Sequence, residues 1–534
     1  MGNFKLKELN KNQIDEIGQI YKNKEFSWDK RMMILTEKFG VSERTMRKWA
    51  VKLGFKERVD ISNGLPVDSE QYKNALEKSH DKQKKYKLIT WGQNNTIAHK
   101  GLIKNMEAYR DFLGDENCEI IVIAGRYNNF NTLNGQKEDE YWDKSIEKYL
   151  CATNCELNKN IQMRGDIKIV PTNLNPINSL ESLSNNESLI VGHPTWHLKA
   201  LPVIDPEKPK LILTTGACTI ENYSQSLSGK KGEFNHSLGF VIVEIKDENT
   251  FFVRQVSAVK KTGEFTDLYY NVKNGEVKRT NEIEGIVLGD LHISEICEKT
   301  INATLNVLME KLKPKTVVCH DIFSAYSINV HDSKNIFVSH RKEVENTNNL
   351  QAEIEQMLDW LENLNNKGYD VVIVRSNHDD MVDRWLRGDW RSQPTLKNSE
   401  KYMEYSLLTL QGKAENGIIP YVINERFPKF KCLNRNESYT VGGFEVSQHA
   451  DVGPNGSKGG GVNQFKKLST KIIFGHTHSP ARALGAINVG TNTKLRLDYT
   501  NGFSSWVNSQ VIINKETKKA QNILFINGEF TTFE

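Results

Sequence analysis

Five apolar runs in the C-terminal half of the chain each stop at residues that bind metals. Gly285-Ile286-Val287-Leu288 leads into Gly289-Asp290-Leu291-His292, and Thr316-Val317-Val318-Cys319 into His320-Asp321. Val371-Val372-Ile373-Val374 leads, two residues on, to Asn377-His378-Asp379. Phe444-Glu445-Val446 leads to His449, and Ile472-Ile473-Phe474-Gly475 to His476-Thr477-His478. Apolar runs of this length read as buried strands. Open α/β sheets carry their chemistry at the carboxyl ends of their strands. Five such clusters in this order are hard to account for by packing alone.

The donors are carboxylate, carboxamide and imidazole, which suit hard or borderline divalent cations and need no cysteine. Two cations a few ångströms apart require a shared carboxylate, and Asp321 is the natural bridge. Asp290, His292 and His478 would complete one site; Asn377, His449 and His476 would complete the other. Two such ions lower the pKa of a bridging water toward neutrality and clamp the non-bridging oxygens of a phosphate. His378, beside Asn377, is the candidate catalytic acid for the leaving oxygen.

Taken in order, Asp-x-His, a strand-end Asp, Asn-His-Asp, a lone His and Gly-His-Thr-His resemble the calcineurin-like metallophosphoesterases. Asn488-Val489-Gly490-Thr491 resembles the turn that follows their last His pair. The likeness covers about the last half of the chain. It implies a β-sandwich flanked by helices, with two divalent metals at one edge on the seven residues named above. Mn²⁺ is the ion it implies first, with Mg, Fe and Zn as alternatives. Three positions depart from the family pattern: His320 and Ser376 replace glycines, and Ser324 replaces an acid or His that would orient His378. Asp379, His331 or Asp332 is the expected substitute for that acid, and His320 reads as structural.

At 534 residues the chain exceeds one ordinary core. The expected class is α/β. A helical unit resembling a helix-turn-helix spans 1–60, a linker 61–80, an α/β domain without an assigned role 81–280, and the metallophosphoesterase domain 281–534. The apolar runs are strand-sized, so no membrane partner is expected, and the N-terminus lacks the apolar core of a signal peptide. Seven scattered cysteines without a C-x-x-C pair favour reduced thiols in a cytoplasm, the host's if the chain is phage-encoded. Cys151 and Cys155, the nearest pair, are read as thiols rather than as metal ligands.

In the first unit, a helix over 7–21 is followed by one over 31–39, a turn at Gly40-Val41-Ser42, and a second turn-following helix over 43–54. Val41, Met46 and Trp49 would face inward; Arg44, Thr45, Arg47 and Lys48 outward. This resembles the motif whose second helix enters a DNA major groove. Residues 1–60 carry 14 Lys/Arg against 9 Asp/Glu, an excess larger than the whole chain's net +4. In the middle region, 86–91 and 119–125 flank a helix over 100–113, and further strands are expected at 167–170, 188–191, 210–214, 239–245 and 251–256. It has no P-loop or dinucleotide fingerprint, and could hold substrate, drive assembly or be a worn relative of the catalytic half; no sequence repeat is visible. A long helix is expected over 344–364.

Arg384 and Arg387 after His378, Lys458 in a Gly-rich loop expected to be flexible, and Arg44, Arg47 and Lys48 are candidate contacts to a long polyanion, where phosphate contacts dominate affinity. The expected activity is therefore a metal-dependent deoxyribonuclease. The overall plan also resembles the pre-early host-DNA-degrading nucleases of large tailed coliphages. The alternatives are a protein phosphatase or small phosphodiesterase with a helical docking module, and a DNA-transfer or scaffold protein with a vestigial metal site. No signature of homo-oligomerisation is legible.

Overall fold

The computed structural model describes residues 9–23, 25–26, 28–53, 55, 69–127, 140–329, 335–388, 396–497 and 500–533. They fall into two compact units, Met1–Ser69 and Glu70–Glu534.

The first unit holds α1 (Lys11–Lys22), α2 (Trp28–Phe39) and α3 (Glu43–Lys52). Asn10 and Gln13 form a reciprocal capping box that starts α1 later than the expected residue 7. Gly40 takes φ +61°, the left-handed turn that a side chain resists. Ser42 Oγ then accepts from the Thr45 amide at 3.2 Å, which caps α3. Ile17, Tyr21, Met32, Leu35, Phe39, Met46 and Trp49 form the core, with Val41 half-buried against it.

The second unit opens with α4 (Glu70–Glu77), inside the stretch expected to be linker; Tyr72 and Ala75 are buried, and 61–68 lie outside the described residues. Then come β1 (Tyr86–Gln93), α5 (Lys100–Leu113), β2 (Cys118–Gly125), β3 (Leu150–Cys151), β4 (Asn154–Asn158), β5 (Ile161–Arg164), β6 (Ser188–Val191), β7 (His197–Leu201), β8 (Lys210–Thr214), β9 (Gly239–Ile245) and β10 (Phe251–Ser257). A small sheet of β11 (Phe265–Asp267), β12 (Tyr270–Lys273) and β13 (Glu276–Arg279) leads to the later strands. These are β14 (Ile283–Leu288), β15 (Pro314–His320), β16 (Asp370–Val374), β17 (Lys431–Cys432), β18 (Thr440–Val441), β19 (Phe444–Glu445), β20 (Ile472–Phe474), β21 (Ala481–Ala483), β22 (Ala486–Asn488), β23 (Ser509–Asn514) and β24 (Ala520–Leu524).

The larger sheets run β10-β9-β1-β2-β3, β17-β16-β15-β14-β23-β24, and β18-β19-β20-β22-β21-β7-β8-β6-β5-β4. β14, β15 and β16 are parallel, and β23 closes on β14 antiparallel. Parallel strands covered on both faces read as unbroken apolar runs. Accordingly, Ile286 and Leu288 face a core shared with the helix Leu350–Asn366, while Val287 faces Val446, Ile473 and Ile487 of the ten-stranded sheet. The six-stranded sheet is thus sandwiched between helices and a second sheet.

The order of the ten-stranded sheet reads the same from either end, and the two halves meet at the antiparallel pair β7–β21. β1, β2 and β3 have the order and directions of β14, β15 and β16; β9 and β10 those of β23 and β24; and β4 to β8 those of β18 to β22. The middle region therefore repeats the strand topology of the C-terminal half, a repeat invisible as sequence. Its own sheet packs on the far half of the ten-stranded sheet through Ile89, Ile121, Val241, Met163, Leu198 and Leu213.

Two expected elements differ. Residues 167–170 form no strand, because β5 already has partners on both edges; Ile167 and Ile169 pack against Leu189 and Ile212 instead. The helix expected over 344–364 is two, Ile336–Val344 and Leu350–Asn366, broken where the Asn349 side chain caps the second. No helix among the described residues is long and apolar enough to cross a membrane.

Candidate metal centre

Parallel pairing of β14 and β15 continues past both strands, with the Leu291, His292 and Ile293 amides donating to the His320, Asp321 and Ile322 carbonyls. This lays Asp290 and His292 alongside Asp321. His292, Asp321, His476 and His478 all have left-handed backbone, with φ of 37°, 48°, 80° and 56°. Such conformations cost about 1–3 kcal/mol each and persist where the surroundings over-determine them.

Two groups of potential ligands result, His292–Asp321–His478 and Asp290–Asp321–His449, with ligand atoms in each within 4.8 Å of one another. Asp321 belongs to both. Its Oδ2 is 3.0 Å from His292 Nε2 and 3.3 Å from His449 Nε2. Asp290 Oδ2 is 3.2 Å from His478 Nε2, and its Oδ1 is 3.9 Å from His449 Nδ1, so it reaches both groups rather than the one paired with it on sequence grounds. His476 contributes its ring, 5.2 Å from that of His449 by centroid, and its amide, which donates to Asp290 Oδ2 at 2.7 Å. Asn377 lies one residue from His378, whose ring is 4.5 Å from that of His292.

Asp290 Oδ1, Asp321 Oδ1 and Asn377 Oδ1 are buried without a hydrogen-bond partner among the described residues. A buried carboxylate oxygen in that state is costly unless a cation meets it. Burial opposes the charge on Asp321, yet His292, His378 and His449 hold its carboxyl well below the usual range. Burial likewise opposes charge on His449, but Asp321 and Asp290 outweigh it and raise the imidazole to about 9. Metal ligands must shed such protons, so binding exchanges proton for cation. The donor set and its unmet oxygens fit a pair of divalent cations.

The supports were partly foreseen. Asn488 Nδ2 donates to the Gly475 carbonyl, the Gly490 amide to Asn488 Oδ1 at 3.0 Å, and Thr491 Oγ1 to the Asp290 carbonyl at 3.0 Å. A Cβ at Gly475 would collide with Asp290 Oδ1, which explains that glycine physically. Among the described residues, Asp379 does not orient His378. Its Nδ1 meets the Ser324 backbone carbonyl at 2.7 Å; Asp379 instead accepts from the Ser376 amide at 2.8 Å, and burial with Asp321 raises it to about 7. His331 and Asp332 lie outside the described residues. His320 is fully buried, and burial pushes it down to about 3.

Two supports had no sequence signal. Trp506 lies edge-on to His478 with centroids 4.2 Å apart. Arg435 bridges Asp380 at 2.7 Å and Asp451 at 2.6 Å, tying the turn after His378 to the turn after His449. Arg384 donates to the Asn377 carbonyl at 2.6 Å, and Arg387 is exposed. Lys458 is exposed in the Gly-rich loop, where it makes an antiparallel bridge to Val452. Lys48 is exposed on α3; the side chains of Arg44 and Arg47 lie outside the described residues. A cleft of about 840 Å³ opens at Ser294, two residues beyond His292, and its wall mixes Glu295, Glu345 and Glu353 with Arg341, Lys494 and Arg496.

Among the described residues, the duplicate half carries other side chains at the donor positions compared. The Asn94 amide meets the Gly125 carbonyl as Leu291 meets His320, so Gln93 and Arg126 stand where Asp290 and Asp321 do. Gly192-His193 matches Gly475-His476 by register, but His193 spends its nitrogens on Thr195 Oγ1 and the Val170 carbonyl, and burial pushes it to about 3.

No family model matches the chain, and no solved structure matches it. Among curated proteins, it is 28% identical over 482 residues to Protein A1 of Escherichia phage T5, across 86% of this chain and 84% of that one. The similarity relates the chain to a bacteriophage protein.

Proposed function

We propose that the chain is a calcineurin-like, dinuclear-metal phosphodiesterase that degrades DNA, in the context of host-DNA degradation by a phage. The observation that carries this reading is the convergence of Asp290, His292, Asp321, His449 and His478 in one buried pocket around a common carboxylate. Two divalent cations, Mn²⁺ first, would supply charge neutralisation at phosphate and an acidified water. The chain's own part is to hold them with those five residues, Asn377 and His476. With His378 Nδ1 engaged by Ser324, Nε2 is the atom that delivers a proton to the leaving oxygen. DNA as the substrate is supported by the basic excess of residues 1–60, 14 Lys/Arg against 9 Asp/Glu, and by the similarity to a bacteriophage protein.

Purified protein with Mn²⁺ is expected to degrade plasmid and linear duplex DNA, and chelator to stop it. Asp321→Asn is expected to lower the rate by at least about a thousandfold, as loss of a principal transition-state stabiliser does. Turnover of a chromogenic phosphodiester without cleavage of DNA would replace the substrate, and unchanged activity in Asp321→Asn would remove the metal assignment.

A further inference from the structure

A second cluster of metal-binding side chains lies far in sequence from the first. His80, just after α4, places Nε2 2.9 Å from Cys151 Sγ, and Cys151 Sγ is 4.0 Å from Cys155 Sγ. The three ligand atoms lie within 4.8 Å of one another. Cys151 is fully buried, and His80 and Cys155 are half-buried. The other ring nitrogen of His80, Nδ1, meets Glu119 Oε1 at 3.1 Å, and Lys87 Nζ holds the second Glu119 oxygen at 3.1 Å. Metal-bound histidines characteristically donate their free N–H to a carboxylate in this way, which sets tautomer and ring direction.

We propose that His80, Cys151 and Cys155 bind one zinc-class divalent cation, a site separate from the oxygen- and imidazole-rich centre. Thiolates about 2.3 Å from a tetrahedral ion stand about 3.8 Å apart, close to the observed 4.0 Å and twice a disulfide bond. Binding requires the His80–Cys151 contact to open by about half an ångström to reach tetrahedral N–S spacing. Thr153 Oγ1 lies 3.4 Å and 3.5 Å from the two sulfurs and completes the polar surroundings of the three donors. Soft thiolates select zinc over the Mn²⁺ or Mg²⁺ that hard donors take.

The place suits a clip. Cys151 ends β3, the edge of the five-stranded sheet; Cys155 is in β4, the edge of the ten-stranded sheet; and His80 lies in the segment between α4 and β1. The Ala152 amide donating to the Ala75 carbonyl at 2.9 Å is the backbone contact the ion would reinforce.

Cobalt(II) added to the reduced, metal-stripped full chain tests this, because a thiolate-to-cobalt charge-transfer band cannot come from the cysteine-free C-terminal centre. The band is expected to reach the intensity of one thiolate-bound cobalt per chain, to yield to zinc, and to vanish in Cys151→Ser and Cys155→Ser. Glu119→Gln is expected to weaken cobalt binding about ten- to hundredfold. Should the serine variants fail to fold, alkylation mapping of the wild type replaces them: zinc is expected to shield Cys151 and Cys155 while Cys297 and Cys432 react as before. Absence of the band, alkylation unaffected by zinc, or a Cys151–Cys155 disulfide in protein isolated without reductant would each overturn the assignment.

Discussion

At the scale of single residues, the centre depends on atoms brought closer than ordinary packing allows. Asp290 serves both ligand groups because Gly475 leaves room for its Oδ1, and the His476 amide fixes its Oδ2. Gly475→Ala must displace one or the other. It is expected to weaken Mn²⁺ affinity at least about tenfold, in the range seen when a metal ligand is deprived of a supporting hydrogen bond. Mn²⁺ titration of activity reads this out, and a wild-type titration curve would mean that Asp290 tolerates the added methyl. The left-handed backbone of His292, Asp321, His476 and His478 sets these four residues outside the regular strands that lead to them.

At the scale of elements, α3 and the strand ends present their residues for different reasons. The former is a short amphipathic helix whose buried face, Met46 and Trp49, leaves Lys48 outside. If α3 touches phosphates, an Arg47→Gln/Lys48→Gln variant should reduce the slope of log K against log salt by about 0.9 for each phosphate it no longer neutralises. An unchanged slope in a DNA-binding salt series would restrict this unit to protein contacts. The strand ends are held by tertiary ties instead: Arg435 between Asp380 and Asp451 does for His378 and His449 what sequence proximity cannot.

At the scale of the whole molecule, residues 70–534 form one compact unit built of two halves that share a strand topology, with β17 added to the second. A fragment of 281–534 would expose the edge of β21 and lose its partner β7. It would also lose the buried Arg254, which pairs with Asp267 through two 2.8 Å contacts and with Glu244 at 2.5 Å, while Glu244 accepts from the Thr532 amide near the C-terminus. The fragment is therefore expected to be insoluble or non-cooperative in circular-dichroism melts, whereas 70–534 melts as a unit. Arg254→Met leaves two buried carboxylates uncompensated and is expected to cost about 3–5 kcal/mol. A denaturant midpoint equal to that of wild type would show the network to be dispensable. This duplication also gives the middle region a physical role, the second wall of the shared sheet, independent of any ligand of its own.

Much of the C-terminal half was legible because its signals are local. An apolar run covered on both faces and ending in Asp or His is visible within ten residues, and so are the cap at Ser42 and the turn at Gly40. Pairings set by distance were not legible. The Ser324 carbonyl replaces an acid through backbone geometry, Trp506 reaches His478 from 28 residues away in the numbering, and His80 meets cysteines more than seventy residues later. The repeat between the halves was hidden for the same reason: strand order is a property of which edges pair, and side-chain identity can diverge while those edges stay paired. The chain alone determined the kinds of donor available and the strands that end in them. Folding decided which donors share a pocket, because burial and backbone pairing act between residues that sequence separation keeps apart.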